Sequence, residues 1–146
     1  MEVQISNMTK EDLNCILPIW EKDFDKFWNS SLLISEFENP NSLCFVAKYE
    51  KQIVGFASLW KSIDDIHITN IITKKFFRRQ GIGSQLLEFL IDTAKKLHFN
   101  SITLEVNENN SEAINLYRNH KFQELGLRKN YYHHTESAII MTLFLS

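Results

Sequence analysis

Four cations, Lys74, Lys75, Arg78 and Arg79, fall within six residues of a chain that is otherwise slightly acidic. Directly behind them, in "RRQGIGSQLLEFL", stand Gly81 and Gly83, two of only 4 glycines in 146 residues. Glycine costs backbone entropy wherever it sits, so a close pair marks a tight approach of backbone to something. The apolar spacing that follows predicts a helix. The first N–H groups of a helix lack an internal partner and carry partial positive charge. Glycines there leave no side chain between those groups and a bulky anion, so the chemistry on offer is phosphate binding. A P-loop needs a lysine that "GIGSQ" lacks, and a dinucleotide fingerprint needs a third glycine where Leu86 stands. The spacing leaves open a phosphate cradle of another kind, or a basic loop that binds nothing.

Other residue types capable of chemistry are scattered. Taken alone, Glu105 in "LEV" reads as a surface acid on a strand, and Tyr117 in "NLYRNHKF" as an aromatic packed on a short helix. His67 sits at a strand start, where it could accept a proton through water or simply pack. His133 and His134 form an adjacent pair with no third ligand at useful spacing, so no metal is expected. Cys15 and Cys44 sit among apolar neighbours without metal-type spacing, which predicts two buried free thiols in a reducing cytosol.

Elements must carry these residues. "VQIS" reads as a first strand, and Thr9 with Asp12 resembles a helix cap, though Glu or Gln is the usual partner. Leu13, Ile16, Leu17 and Trp20 follow at helical spacing. A second helix is expected from about Phe27 to Phe37, ending before Pro40. "LCFVAKY" and "IVGFASLW", joined by "EKQ", predict an antiparallel hairpin, and "IHITNII" a further strand. Ile82, Leu86, Leu87, Leu90, Ala94 and Leu97 form the stripe of the helix behind the glycines. "SITLEV" is a strand, Asn110 or Ser111 caps a short helix, and "FQELGL" and "AIIMTLFL" close the chain as strands. The order β-α-α-β-β-β-α-β-α-β-β places the chain in the α+β class with one mixed sheet.

Composition narrows the partners. At 146 residues the chain reads as one domain, residues 1–146, with 44% hydrophobic and 12% aromatic content suited to a globular core. A net charge of −2 supplies no global basic field, so nucleic acid is not an expected partner. The first residues carry early acids rather than a signal-peptide core. The run "AIIMTLFL" is about half of the ~20 residues a membrane span needs. A cytoplasmic domain without membrane contact is expected.

Arg78-Arg79-Gln80-Gly81-Ile82-Gly83, after a strand and before an amphipathic helix, resembles the acetyl-CoA loop of the GNAT acetyltransferases, whose motif is Gln/Arg-x-x-Gly-x-Gly/Ala. The resemblance covers nearly the whole chain in element order and residues 66–145 in detail. It is closest to the RimI branch, the ribosomal-protein alanine N-acetyltransferases. "NIIT", "RRQGIGSQLLEFLI", "LEVNENNSEAINLYRNHKF", "RKNYY" and "AIIM" have counterparts there in the same order. The fold it implies is a single mixed sheet of about seven strands flanked by about four helices.

The resemblance also implies roles. Acetyl-CoA is the cosubstrate, held by the backbone of Ile71, Ile72 and Thr73 along the pantetheine and by Arg79, Gln80, Gly81, Ile82, Gly83 and Ser84 around the pyrophosphate. Asn110 touches the pantetheine or holds the next helix. The fourth and fifth strands splay apart to admit the cofactor, and the bulged fourth strand offers backbone N–H groups to a developing oxyanion. Glu105 falls at the position of the general base and Tyr117 at that of the general acid. Asn130, Tyr131 and Tyr132 belong to a loop over the acceptor, which is a protein N-terminus, the alanine of a small-subunit ribosomal protein. A monomer or weak homodimer is expected. Alternatives are a small amine as acceptor (polyamine, amino sugar or amino acid) or a CoA-binding module without catalysis. Phe76-Phe77, Lys121 and Ser137 depart from the branch pattern, and Lys121 stands where glycine normally provides a left-handed helix cap.

Overall fold

The computed structural model describes residues 1–26, 28–132 and 136–145. Its elements are β1 (Gln4–Asn7), α1 (Lys10–Asp23), α2 (Ser30–Glu38), β2 (Ser42–Tyr49), β3 (Gln52–Lys61), β4 (Ile66–Thr73), α3 (Ile82–Lys96), β5 (Ser101–Asn107), α4 (Ser111–Asn119), β6 (Gln123–Tyr132) and β7 (Glu136–Phe144). The order is the expected one, with a short 3-10 turn at Lys75–Phe77 added. One seven-stranded sheet runs β1-β2-β3-β4-β5-β7-β6. Every neighbouring pair is antiparallel except β4 and β5.

The local reasons are readable. Thr9 Oγ1 accepts from the Asp12 N–H and Asp12 Oδ2 accepts from the Thr9 N–H, both at 3.0 Å, so aspartate completes the capping box at α1. The hairpin between β2 and β3 is tighter than "EKQ" implied. Tyr49 pairs with Gln52, leaving a two-residue turn in which Glu50 and Lys51 take φ of 49° and 68°. Two left-handed residues match the strand twist, although neither is glycine.

The sheet separates two apolar layers. Phe45 and Ala47 of β2 pack with Leu86, Leu87, Leu90 and Ala94 of α3, whereas Val46 between them packs with Trp20, Phe24 and Leu33 on the α1–α2 side. Alternation along the strand sends neighbours to opposite faces. Trp20 stacks on Phe24 at 5.2 Å and meets Phe56 edge-on at 5.4 Å, closing the second layer.

Four expectations change. α2 begins at Ser30 because Asn29 caps it, with Asn29 Oδ1 accepting from the Leu32 N–H, and Phe27 lies outside the described residues. Cys15 is exposed rather than buried, since Leu13 and Ile16 already turn the core face of α1 inward. Leu97 caps the end of α3 and is 42% exposed, one position past the helix's last residue and three past its last buried one, Ala94. β6 continues to Tyr132 through the segment expected to be a loop: after Arg128 opposite Ala138 the register shifts, and Tyr132 pairs again opposite Glu136. Among the described residues, no helix is long and apolar enough to cross a membrane.

Candidate active site

Three of the four helices begin on a side-chain cap: Thr9 for α1, Asn29 for α2 and Asn110 for α4. α3 begins on Gly81, with φ 82° and no side-chain cap. Its first-turn N–H groups are thus left to a ligand or solvent. A Cβ at Gly81 would meet nothing within 4 Å, but the left-handed backbone there favours glycine. A Cβ at Gly83 would meet only Leu116 Cδ2 at 3.6 Å, an ordinary contact. Packing does not demand Gly83; an open cleft beside it explains the residue.

That cleft has a volume of about 390 Å³. Ile71, Ile72, Thr73, Arg79, Gly81, Ile82, Gly83, Ser84 and Asn110 line it, as do Phe77, Arg78 and Leu116. Gln80 is not among its lining residues. Phe77 faces the cleft while its neighbour Phe76 is 90% exposed, the outcome of the 3-10 turn that replaces the usual loop. Arg78 ties the approach down, donating from Nε to the Thr73 carbonyl at 3.3 Å and from Nη2 to the Phe24 carbonyl at 3.4 Å.

Beside the cleft, β4 and β5 part. Their parallel pairing is confined to His67 opposite Thr103 and Ile68 opposite Leu104. The next residue, Thr69, is the extra one of a β-bulge: Leu59 of β3 pairs with Ile68, and Ser58 with Asn70. The Thr69 hydroxyl sits 2.5 Å from the Ser58 hydroxyl and donates to Glu36 of α2, fixing the bulge from the far side.

A second cavity of about 740 Å³ opens where the strands have separated. Glu105 of β5 and Tyr117 of α4 both line it, with Thr69, Asn70, Asn107, Asp25 and Glu136. Ile71, Asn110 and Ala113 line both spaces, so the two are adjacent. Asn110 accepts from the Ala113 N–H at 3.1 Å, and its expected role in holding α4 is met. Tyr117 is 8% exposed and packs edge-on against Phe122 at 5.7 Å. Arg128 of β6 donates to both Glu105 oxygens, at 3.2 and 3.3 Å.

His67 lines neither space and lies tilted against Trp60, with ring centroids 5.9 Å apart. The backbone of Asn130, Tyr131 and Tyr132 extends β6 beyond Arg128. His133 and His134 lie outside the described residues. Asp25, Asn70, Arg128 and Glu136 escaped the sequence reading: Asn70 and Arg128 lay inside the quoted "NIIT" and "RKNYY" without a partner to give them meaning, and Asp25 and Glu136 lay outside the quoted motifs.

Residues 13–122 match the acetyltransferase (GNAT) family, and the chain belongs to it. It is an acyltransferase, and acetyl-CoA is its cosubstrate. A putative [ribosomal protein bS18]-alanine N-acetyltransferase of Bacillus subtilis is 32% identical over 94% of this chain and 92% of its own. The crystal structure of the ribosomal-protein-S18-alanine N-acetyltransferase from Escherichia coli superposes with a TM-score of 0.88 at 32% identity, covering 99% of this chain and 95% of that one. A GNAT acetyltransferase from Elizabethkingia anophelis, solved with acetyl-CoA bound, shares the fold at 23% identity and a TM-score of 0.80, over 98% of each chain.

Proposed function

We propose that the chain transfers acetyl to the α-amine of a protein N-terminus, and that the acceptor is the N-terminal alanine of ribosomal protein bS18, which the names of its relatives specify. One observation carries the reading: Glu105 and Tyr117, from different elements, line a single cavity that shares Ile71, Asn110 and Ala113 with the uncapped glycine cleft.

Acetyl-CoA supplies an activated acetyl thioester. The N–H groups of Gly81 to Ser84, with Arg79, bind its pyrophosphate, and the backbone of Ile71, Ile72 and Thr73 holds the pantetheine. Glu105 takes a proton from the acceptor ammonium, directly or through one water. An α-amine with a pKa of roughly 7.7–8.0 gives that proton up near neutral pH. The Tyr117 hydroxyl holds the proton that the departing sulfur needs. Backbone N–H groups beside the Thr69 bulge face the negative charge that develops during transfer. Asn130, Tyr131 and Tyr132 border the acceptor.

The test is incubation with acetyl-CoA and a hexapeptide copying the bS18 N-terminus, beside spermidine and glucosamine. Thiol release and the acetylated mass are read together. Acetylation of the peptide α-amine is the expected result, with Glu105→Gln and Tyr117→Phe each losing roughly 10²–10⁴ in turnover while CoA binding is kept. Wild-type rates in both variants remove the assigned roles. Transfer to spermidine or glucosamine alone moves the acceptor to a small amine, and CoA binding without any transfer leaves a binding module.

A further inference from the structure

The side-chain nitrogen Nδ2 of Asn70 is buried and has no hydrogen-bond partner among the described residues. A buried donor left unpaired is costly, and native structures keep one where a ligand or ordered water completes it. Asn70 follows the Thr69 bulge, at the point where β5 no longer pairs with β4. It lines the cavity that holds Glu105 and Tyr117, and it does not line the glycine cleft. Its donor therefore serves the acceptor side.

The remaining lining defines what that donor meets. Asp25, Glu105 and Glu136 bring three carboxylates to the same cavity, where Arg128 donates to Glu105 and Asn107 to Glu136. Such a cavity attracts an ammonium and repels a carboxylate attached to the same carbon. A neutral carbonyl in that position offers the oxygen the Asn70 amide lacks.

We propose that Asn70 Nδ2 donates to the carbonyl oxygen of the acceptor's first residue, so that the enzyme takes α-amines next to a neutral carbonyl, in peptides and amino-acid amides, over free amino acids. The inference rests on the reading of the chain as an N-α-acetyltransferase. Asn70 is then the residue that tells an α-amine beside a carbonyl from an amine without one, while the carboxylates around it turn away the free amino acid. A site built around such a hydrogen bond rejects the acceptor that cannot complete it.

The experiment compares an alanine-initiated tripeptide, alaninamide and free alanine, with spermidine as an outside control. Wild type, Asn70→Ala and Asn70→Asp are each measured, and acetyl-CoA affinity and melting temperature are recorded for each. In the wild type, kcat/KM for free alanine should fall at least about a hundredfold below that for the peptide and the amide. Both variants should raise KM for the peptide and the amide by about tenfold, with acetyl-CoA affinity unchanged. The aspartate keeps the shape of Asn70 and replaces the donor with an acceptor, so it separates loss of the bond from loss of packing. Unchanged acceptor KM in both variants overturns the inference, as does free alanine used as well as alaninamide. A fall in kcat alone would assign Asn70 to the thioester oxygen and also overturn it. Failure of the wild type on all three alanine acceptors, with spermidine acetylated, would instead remove the N-α-acetyltransferase reading and the Asn70 role with it.

Discussion

Arg128 Nη1 donates to both carboxylate oxygens of Glu105, at 3.2 and 3.3 Å, reaching from β6 across β7 to β5. A carboxylate held at both oxygens has one orientation. The pair is half-exposed, with side-chain exposures of 55% and 34%, so it adds little to stability, about 0–1 kcal/mol. Its value lies in aim.

Arg128→Ala should therefore leave the melting temperature nearly unchanged and lower kcat about tenfold, since small misplacements of a reacting group carry large kinetic penalties. In a double-mutant cycle with Glu105→Gln, the two losses should not add, because the arginine has nothing left to aim. Additive losses would mean that Arg128 acts on turnover independently of Glu105.

Gly83 offers a cleaner separation of folding from binding. It lies in the first turn of α3, its side is open, and an added Cβ would touch only Leu116. Gly83→Ala should stabilise the fold by about 0.5–1 kcal/mol through helix propensity. The same methyl group projects into the cleft and should weaken CoA binding by about tenfold or more. Gly81→Ala, at φ 82°, should lose stability as well. Thermal unfolding with and without CoA reads both effects. An alanine at position 83 that binds CoA as tightly as glycine would refute the cradle.

The order of elements and the α3 stripe were legible because apolar period and caps are local signals, as in Thr9 with Asp12. The α3 glycines were legible because glycine is rare in this chain. The parting of β4 from β5 was not, since it depends on pairing that stops after Ile68 and Leu104, a fact no residue type records. Asn70 and Arg128 were missed for the same reason: each gains meaning only from a neighbour distant in sequence. Cys15 was misplaced because apolar neighbours along a helix do not share its face. Lys121 ran the other way. The departure noted at that position is realised as φ 72°, a left-handed residue without glycine.

Lys121 closes α4. Its N–H donates to the Arg118 carbonyl at 2.9 Å, and the Phe122 N–H returns to the Tyr117 carbonyl at 3.0 Å. The cap thus places Phe122 against the Tyr117 ring. Lys121→Gly should relieve the left-handed strain, worth about 1 kcal/mol after the added entropy of the unfolded chain is set against it. For a chain of this length that is about 2–4 °C in melting temperature. Turnover should hold, because the cap geometry is kept. A lower melting temperature would show that the lysine side chain contributes more than its backbone costs.

Asp12 ties α1 to β2, its Oδ1 lying 2.8 Å from Lys48 Nζ while Oδ2 caps Thr9. Burial pushes the carboxyl up, but the hydrogen bond from Lys48, those with Thr9 and the charge of Lys48 together outweigh it and hold the group below its ordinary value. Folding then favours the ionised form. The resulting stability is complete above the unfolded carboxyl value of about 3.9 and is lost as pH falls through the lower folded value. Asp12→Ala should cost about 1–2 kcal/mol near neutral pH, the range for losing a helix cap, and progressively less below about pH 4. Urea unfolding of both proteins between about pH 7 and pH 2.5 measures the gap directly. A gap that stays constant across that range would assign the contribution of Asp12 to shape rather than charge.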